Sequence, residues 1–247
     1  MKKLAITIAL ALALITGLGV AAPGKAMAKD WSLTLDSTFN SYYVWRGVRL
    51  NNGPVWQPSA TFGYKGLSLN VWGNFDLDNV NGYEFEFSEV DYTASYGFSL
   101  GPVGLEFGVI YYDFPASGAS STTEIYGSAS LNVLLTPTLK IYKDVDVSEG
   151  LYANLGISHS FKLAKNVGLD LGLSVGWGDK DGNAFVYGAA KEGLADLMLT
   201  AGVPITLDKG VTITPMANFS TLLSDDLRDA QANPNSFWLG LSISWEI

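Results

Sequence analysis

The stretch that decides the fold is "FWLGLSISWEI", Phe237 to Ile247. Its odd positions are Phe237, Leu239, Leu241, Ile243, Trp245 and Ile247; after Trp238, its even positions are Gly240, Ser242, Ser244 and Glu246. Strict alternation over this length describes a β-strand with one apolar face and one small or polar face. A strand of a water-soluble sandwich reads the same way, so the meaning of the segment depends on its surroundings.

Upstream, the chain is a succession of such segments. Trp31, Leu33, Leu35, Phe39, Tyr43 and Trp45 share one parity in a first segment that runs from Trp31 to Trp45. Leu67, Leu69, Val71, Phe75 and Leu77 oppose Ser68, Asn70, Asn74 and Asp76, and Val90, Tyr92, Ala94, Tyr96 and Phe98 oppose Glu89, Asp91, Thr93 and Ser95. The pattern recurs through Leu105–Tyr111, Ile125–Val133, Leu139–Ile141, Ala153–Ile157, Val167–Trp177, Leu197–Val203 and Val211–Phe219. With the segment around Trp56 to Tyr64 and the terminal one, this predicts about twelve strands and no long helix.

The connections alternate in length. Brief turns are expected at Lys65–Gly66, Ser99–Pro102, Leu135–Thr136, Leu163–Asn166 and Asp208–Gly210. Longer polar links are expected at Arg46–Pro54, Asp78–Glu86, Asp113–Thr122, Asp144–Gly150, Gly178–Gly193 and Ser224–Asn235. An up-and-down barrel sorts its connections this way, with tight turns at one end and loops at the other; a Greek-key sandwich has no reason to.

Aromatic residues sort as well. Trp31, Tyr64, Phe98, Phe161 and Trp245 fall at the short-turn ends, and Tyr43, Trp45, Trp56, Phe75, Tyr111, Trp177 and Phe219 towards the long-loop ends. Two such rings match the two interfaces of a bilayer. The expected fold is therefore all-β: a transmembrane antiparallel up-and-down β-barrel whose apolar parity faces lipid. Closure follows from hydrocarbon being unable to satisfy an open sheet edge.

The chain begins with Lys2 and Lys3, the apolar run "LAITIALALALITGLGVAA" and a small-x-small signal at Ala26–Ala28. This reads as a cleaved secretory signal peptide over residues 1–28, ahead of a barrel domain over 29–247. The composition is acidic, with 24 Asp and Glu against 15 Lys and Arg, three of which (Lys2, Lys3 and Lys25) fall in the signal segment. That excess argues against nucleic acid as a partner. There is no Cys, so no disulfide framework or thiol chemistry is available.

On the predicted parity the lumen receives Arg46, Asp76, Glu89, Asp91, Glu106, Glu124, Lys140, Asp170 and Asp196, together with Asn70, Trp72, Asn74, Tyr112 and Tyr142. Such a lining suits a channel that favours cations or neutral polar solutes, or else a lumen packed shut by its own charges. No catalytic, cofactor-binding or metal-binding residue is expected. His159, the one histidine, stands in "GISHSF", and its neighbours Ser158 and Ser160 point to the opposite face, so it cannot serve either as a base. "GDKDGN" (178–183) has the alternating Asp179, Asp181 and Asn183 of a calcium loop but lacks the Glu that an EF-hand needs at its twelfth position. A hydrophilic turn is expected there, and also around Asp225, Asp226 and Asp229.

"STFNSYYVWRGVRLNNGPVWQPSATFGYKGLSLNVWGNFD" (37–76) resembles the TorF-type porins of bacterial outer membranes. The resemblance rests on the Tyr-x-Trp-Arg-Gly segment Tyr43–Gly47, the Asn-Gly-Pro that precedes Gln57, and the "VWGN" strand. "LKIYKDVDVSEGLYANLGISHSF" and the C-terminal region look similar to barrels of the same kind. The terminal strand also resembles the assembly signal of outer-membrane barrels, which usually ends on an aromatic where this chain has Ile247. The resemblance implies a Gram-negative outer-membrane location, a transport role, lipid and the barrel-assembly machinery as partners, and no catalytic residues. Two alternatives stay open: a non-conducting structural or adhesive barrel, and a soluble periplasmic β-sandwich that binds carbohydrate on Trp56 and Trp72.

Overall fold

The computed structural model describes residues 30–247. The signal peptide expected over 1–28 lies outside the described residues. The elements are, in order, β1 (Trp31–Asn40), β2 (Tyr43–Trp45), β3 (Val48–Asn51), β4 (Val55–Tyr64), β5 (Leu67–Asp76), β6 (Phe87–Leu100), β7 (Val103–Asp113), β8 (Thr122–Leu131), β9 (Thr138–Asp144), β10 (Leu151–Lys162), β11 (Gly168–Gly178), α1 (Lys180–Tyr187), β12 (Gly193–Gly202), β13 (Ile205–Thr206), β14 (Val211–Leu222), α2 (Asp225–Ala230) and β15 (Asn235–Glu246).

Twelve of these strands form one closed antiparallel barrel. From β4 to β12 each strand pairs with the next in sequence, β12 pairs with β14, and β14 with β15. The seam joins the last strand to the first, with Leu35 opposite Trp245 and Phe39 opposite Leu241, and β1 pairs with β4 on its other side. The sheet thus has no free edge, as hydrocarbon requires.

Polarity is inverted relative to a soluble protein. On β1, Trp31, Leu35 and Phe39 are exposed while Thr34 and Asp36 are buried. On β15, Phe237, Leu239, Leu241, Ile243 and Trp245 are exposed while Ser236 and Trp238 are buried. An apolar side chain left half in water forfeits roughly 1–2 kcal/mol that hydrocarbon would return. A continuous belt of them is stable only in a bilayer. The sandwich alternative needs these faces to meet inside, and in this barrel they point outward.

The two ends differ as the connection lengths predict. The β4–β5 turn is the pair Lys65–Gly66, both with positive φ (48° and 91°), the arrangement that matches strand twist in a two-residue hairpin. A Cβ on Gly66 would lie 2.6 Å from the Gly97 carbonyl oxygen, so only glycine fits. The link between β12 and β14 is longer than a tight turn because β13 folds back on β14, pairing Ile205 with Ile213. His159 lies on the outward parity, its ring 4.5 Å from that of Phe161.

The first segment departs from expectation. β1 ends at Asn40, not at Trp45, and residues 43–51 form a separate hairpin, β2–β3. Tyr43 and Trp45 therefore do not join the outer aromatic ring. Tyr43 is buried against Trp72 with ring centroids 5.6 Å apart, and Trp45 packs on Tyr112 at 6.2 Å. The reason is local. Hairpin and barrel strand are both extended and keep the same two-residue period, so the break at Ser41–Tyr42 leaves the alternation intact. What turns the chain is Arg46–Gly47, a second two-residue turn with positive φ at both positions (47° and 81°).

"GDKDGN" is likewise not a turn: it begins α1. Asp179 caps the helix by accepting from the Gly182 amide at 2.7 Å, and Gly188, with φ of 77°, ends it. Asn183 is buried and its amide donates to the carbonyls of Gly178 and Lys191. Of the residues that resembled calcium ligands, Asp179 uses a side-chain oxygen to start the helix and Asn183 commits its amide to two carbonyls. The last long polar link, Ser224–Asn235, holds α2 in place of the turn expected around Asp225, Asp226 and Asp229, and its Leu227 is fully buried.

The occluded lumen as a candidate functional site

The hairpin crosses the barrel. Its tip presses on the wall formed by β12 and β14: a Cβ on Gly47 would lie 2.7 Å from Asp196 Cβ and 2.9 Å from Leu222 Cδ2. Next to the tip, Arg46 reaches β8. Its Nη1 and Nη2 donate to Glu124 Oε1 and Oε2, both at 2.8 Å, in a two-pronged ion pair. Tyr112 donates to Glu124 Oε2 at 2.8 Å. The guanidinium carbon lies 4.2 Å from the ring centroid of Tyr152, 4.3 Å from that of Trp45 and 4.9 Å from that of Tyr142. Burial works against the charge on Arg46, but Glu124 together with Tyr112 and Tyr152 outweighs it and raises the guanidinium pKa above its already high ordinary value.

The helices close over the hairpin. Tyr187 at the end of α1 donates to the Arg46 carbonyl at 2.8 Å, and Tyr152 donates to Asp196 Oδ1, also at 2.8 Å. Gln231, just after α2, donates to the Tyr187 carbonyl at 2.8 Å. Val48, Tyr142, Tyr152, Tyr187, Ala195, Leu222 and Leu227 form the buried apolar cluster of the described residues. An apolar core thus lies inside the long-loop end of an otherwise polar lumen. The gap left between Arg46, Glu124 and α1 measures about 10 Å³, room for at most one water.

Beneath the hairpin the lumen opens into a cavity of about 330 Å³. Tyr43, Trp45 and Arg46 form part of its roof, and Asp36, Trp72, Asp91, Asn154, Asn218 and Trp238 are among its walls.

The nine residues expected inside fall into several groups. Arg46, Glu124 and Asp196 meet around the hairpin tip. Glu89 and Asp91 stand two apart on β6 and hydrogen-bond one another through one shared carboxyl proton, and Tyr43 donates to Glu89. Glu106 accepts from Tyr126 at 2.8 Å, and the buried Lys140 sits 5.6 Å from the ring of half-buried Tyr126 on the neighbouring strand. Asp76 ends a ladder that runs from Asn40 through Gln57 and Asn74, each step 2.8–2.9 Å. Asp170 is buried apart from the others and hydrogen-bonds Ser160.

Sequence reasoning missed Tyr43, Trp45, Tyr152 and Tyr187 as interior groups. Tyr152 was accessible, since it shares parity with the inward Asn154. Tyr187 lies on a helix, where strand parity carries no information. Among the described residues, no group of three or more acidic or histidine side chains could hold a metal ion.

A closed, lipid-facing, twelve-stranded barrel with a polar interior is the architecture of transmembrane outer-membrane barrels. Solved structures agree on the fold. The chain is similar to the KdgM porin (10% identity, 86% of this chain and 98% of that one, TM-score 0.54). It is similar to the NanC porin (11%, 87% and 100%, 0.54) and to an outer membrane channel from Pseudomonas putida F1 (10%, 91% and 99%, 0.55). No protein-family model matches the chain, and no curated protein matches it in sequence.

Proposed function

We propose that the chain is a porin-like channel of the bacterial outer membrane, of the TorF type, passing small cations and neutral polar solutes. The observation that carries this is the inverted polarity of a closed barrel around a polar, partly empty lumen. Selectivity is argued from charge. Asp36, Asp76, Glu89, Asp91, Glu106, Asp170 and Asp196 face inward, while Arg46 is neutralised by Glu124 and Lys140 stands beside Glu106. A wall of this sign repels anions. One KdgM porin structure is a complex with disordered oligogalacturonate, an acidic sugar; the lining here opposes that solute class.

Lipid would be the partner of the outward face, and β15 would present itself to the barrel-assembly machinery. The test is purified protein in planar bilayers under a salt gradient, where discrete conductance steps with a cation-selective reversal potential are expected. Anion preference would refute the selectivity. The tight packing between Arg46, Glu124 and α1 favours a second reading, a non-conducting barrel whose loops do the work. That reading wins if neither the native protein nor a variant with an unlatched hairpin conducts.

A further inference from the structure

The cavity beneath the hairpin has a lining whose chemistry is one-sided. Asp36 Oδ2, Asn40 Oδ1, Asp91 Oδ1, Asn154 Oδ1 and Asn218 Oδ1 are enclosed and have no hydrogen-bond partner in the protein. All are acceptors as placed; the Asp36 carboxylate remains one whichever way it is turned, while Asp91 shares a proton with Glu89. Asp36, Asn154 and Asn218 are only 8%, 7% and 4% exposed, so bulk water does not serve them freely. An unpaired buried acceptor costs about 1–3 kcal/mol. What such a lining calls for is a donor.

Aromatic rings supply the rest of the wall: Tyr43, Trp72, Tyr112 and Trp238, with Trp45, Tyr142 and Tyr152 shared with the Arg46 site. Rings beside carboxylates favour an organic cation, which gains from both the ring face and the opposite charge. A bare metal ion would leave the rings unused. A neutral sugar would leave the charge of Asp36 and of the Glu89–Asp91 pair uncompensated, since Arg46 is committed to Glu124.

The protein already carries an example of this recognition. At the roof of the same cavity, its own guanidinium is held by a carboxylate and three rings. The volume, about 330 Å³, lies at the lower end of small-molecule pockets, roughly 300–1,000 Å³.

We propose that the cavity under the β2–β3 hairpin is a binding site for a small organic cation bearing an ammonium or guanidinium group, held by Asp36, Asp91 and the rings of Trp72 and Trp238. The site deepens the channel reading and rests on it only for the solute's route of entry.

The test is calorimetric titration of detergent-solubilised protein with agmatine, which carries both cationic groups. Maltose and acetate serve as the uncharged and anionic comparisons. Saturable agmatine binding is expected, weakened tenfold or more in Asp36→Asn and in Asp91→Asn, with no response to maltose or acetate. No saturable binding to the native protein overturns the proposal without recourse to any variant. Maltose binding in place of agmatine overturns it in favour of a sugar site, and equal agmatine binding by both folded variants also overturns it. Bilayer recordings on the same preparation separate the two claims: agmatine binding without current refutes the channel and keeps the site, and current without binding does the reverse.

Discussion

At the scale of single residues the interior is organised by Arg46. A buried ion pair adds little net stability over an apolar replacement, but removing one partner strands the other and costs about 3–5 kcal/mol. Arg46→Ala leaves Glu124 buried with only Tyr112 as a donor among the contacts described above, and it removes the filling between Trp45, Tyr142 and Tyr152. The expected outcome is an unseated hairpin and a several-fold rise in single-channel conductance, with the barrel still resisting unfolding by SDS on gels. Unchanged conductance would show that the hairpin does not limit passage. Strand parity pointed to Glu124 and Asp196 as inward residues, but Arg46 reaches the interior on the turn of the β2–β3 hairpin, where the parity of β1 no longer applies. The sequence could not show that they meet, because the contact between Arg46 and Glu124 spans 78 positions. Tyr43 and Trp45 were misplaced because an inward hairpin keeps the period of the strand it leaves.

At the scale of elements, the long links are where strand logic ends. α1 is eight residues long, too short to form on propensity alone, and it persists through its cap and its packing on the hairpin. Asp179→Ala removes the oxygen that accepts from the Gly182 amide and should destabilise the helix by about 1 kcal/mol. Hydrogen exchange of the α1 amides should accelerate roughly fivefold while β10 and β11 amides stay protected. Equal loosening of the strands would mean that the cap supports the wall and not only the helix. Nothing in the alternation announces α1 or α2, because short helices in polar links leave no apolar period of useful length. "GDKDGN" did contain the signal in another form: an Asp ahead of a run with further acid in its first turn is a helix start.

At the scale of the whole molecule, the barrel was the most legible feature, for two reasons. Hydrocarbon enforces one rule on every strand, so twelve weak alternations add up to one strong pattern. The two-sided sorting of connections then separates a meander from a sandwich. Leu241 lies mid-strand on β15, exposed to the bilayer and paired with Phe39 on β1. Leu241→Arg places a charge near the membrane midplane and should cost about 2–4 kcal/mol of folding free energy in lipid vesicles. Ser242→Arg, one residue along and facing the lumen, should fold with far less penalty and alter conductance instead. Similar folding costs for the two would contradict the assignment of faces.

The tip of the hairpin ties the start of the chain to its end. Gly47 sits against Asp196 and Leu222, which belong to the final third of the sequence. The plug's seat is therefore complete only once those late strands have joined the wall. The hairpin's contacts to β5, β7 and β8 need only the early wall, but full obstruction of the bore waits on the circle closing around it.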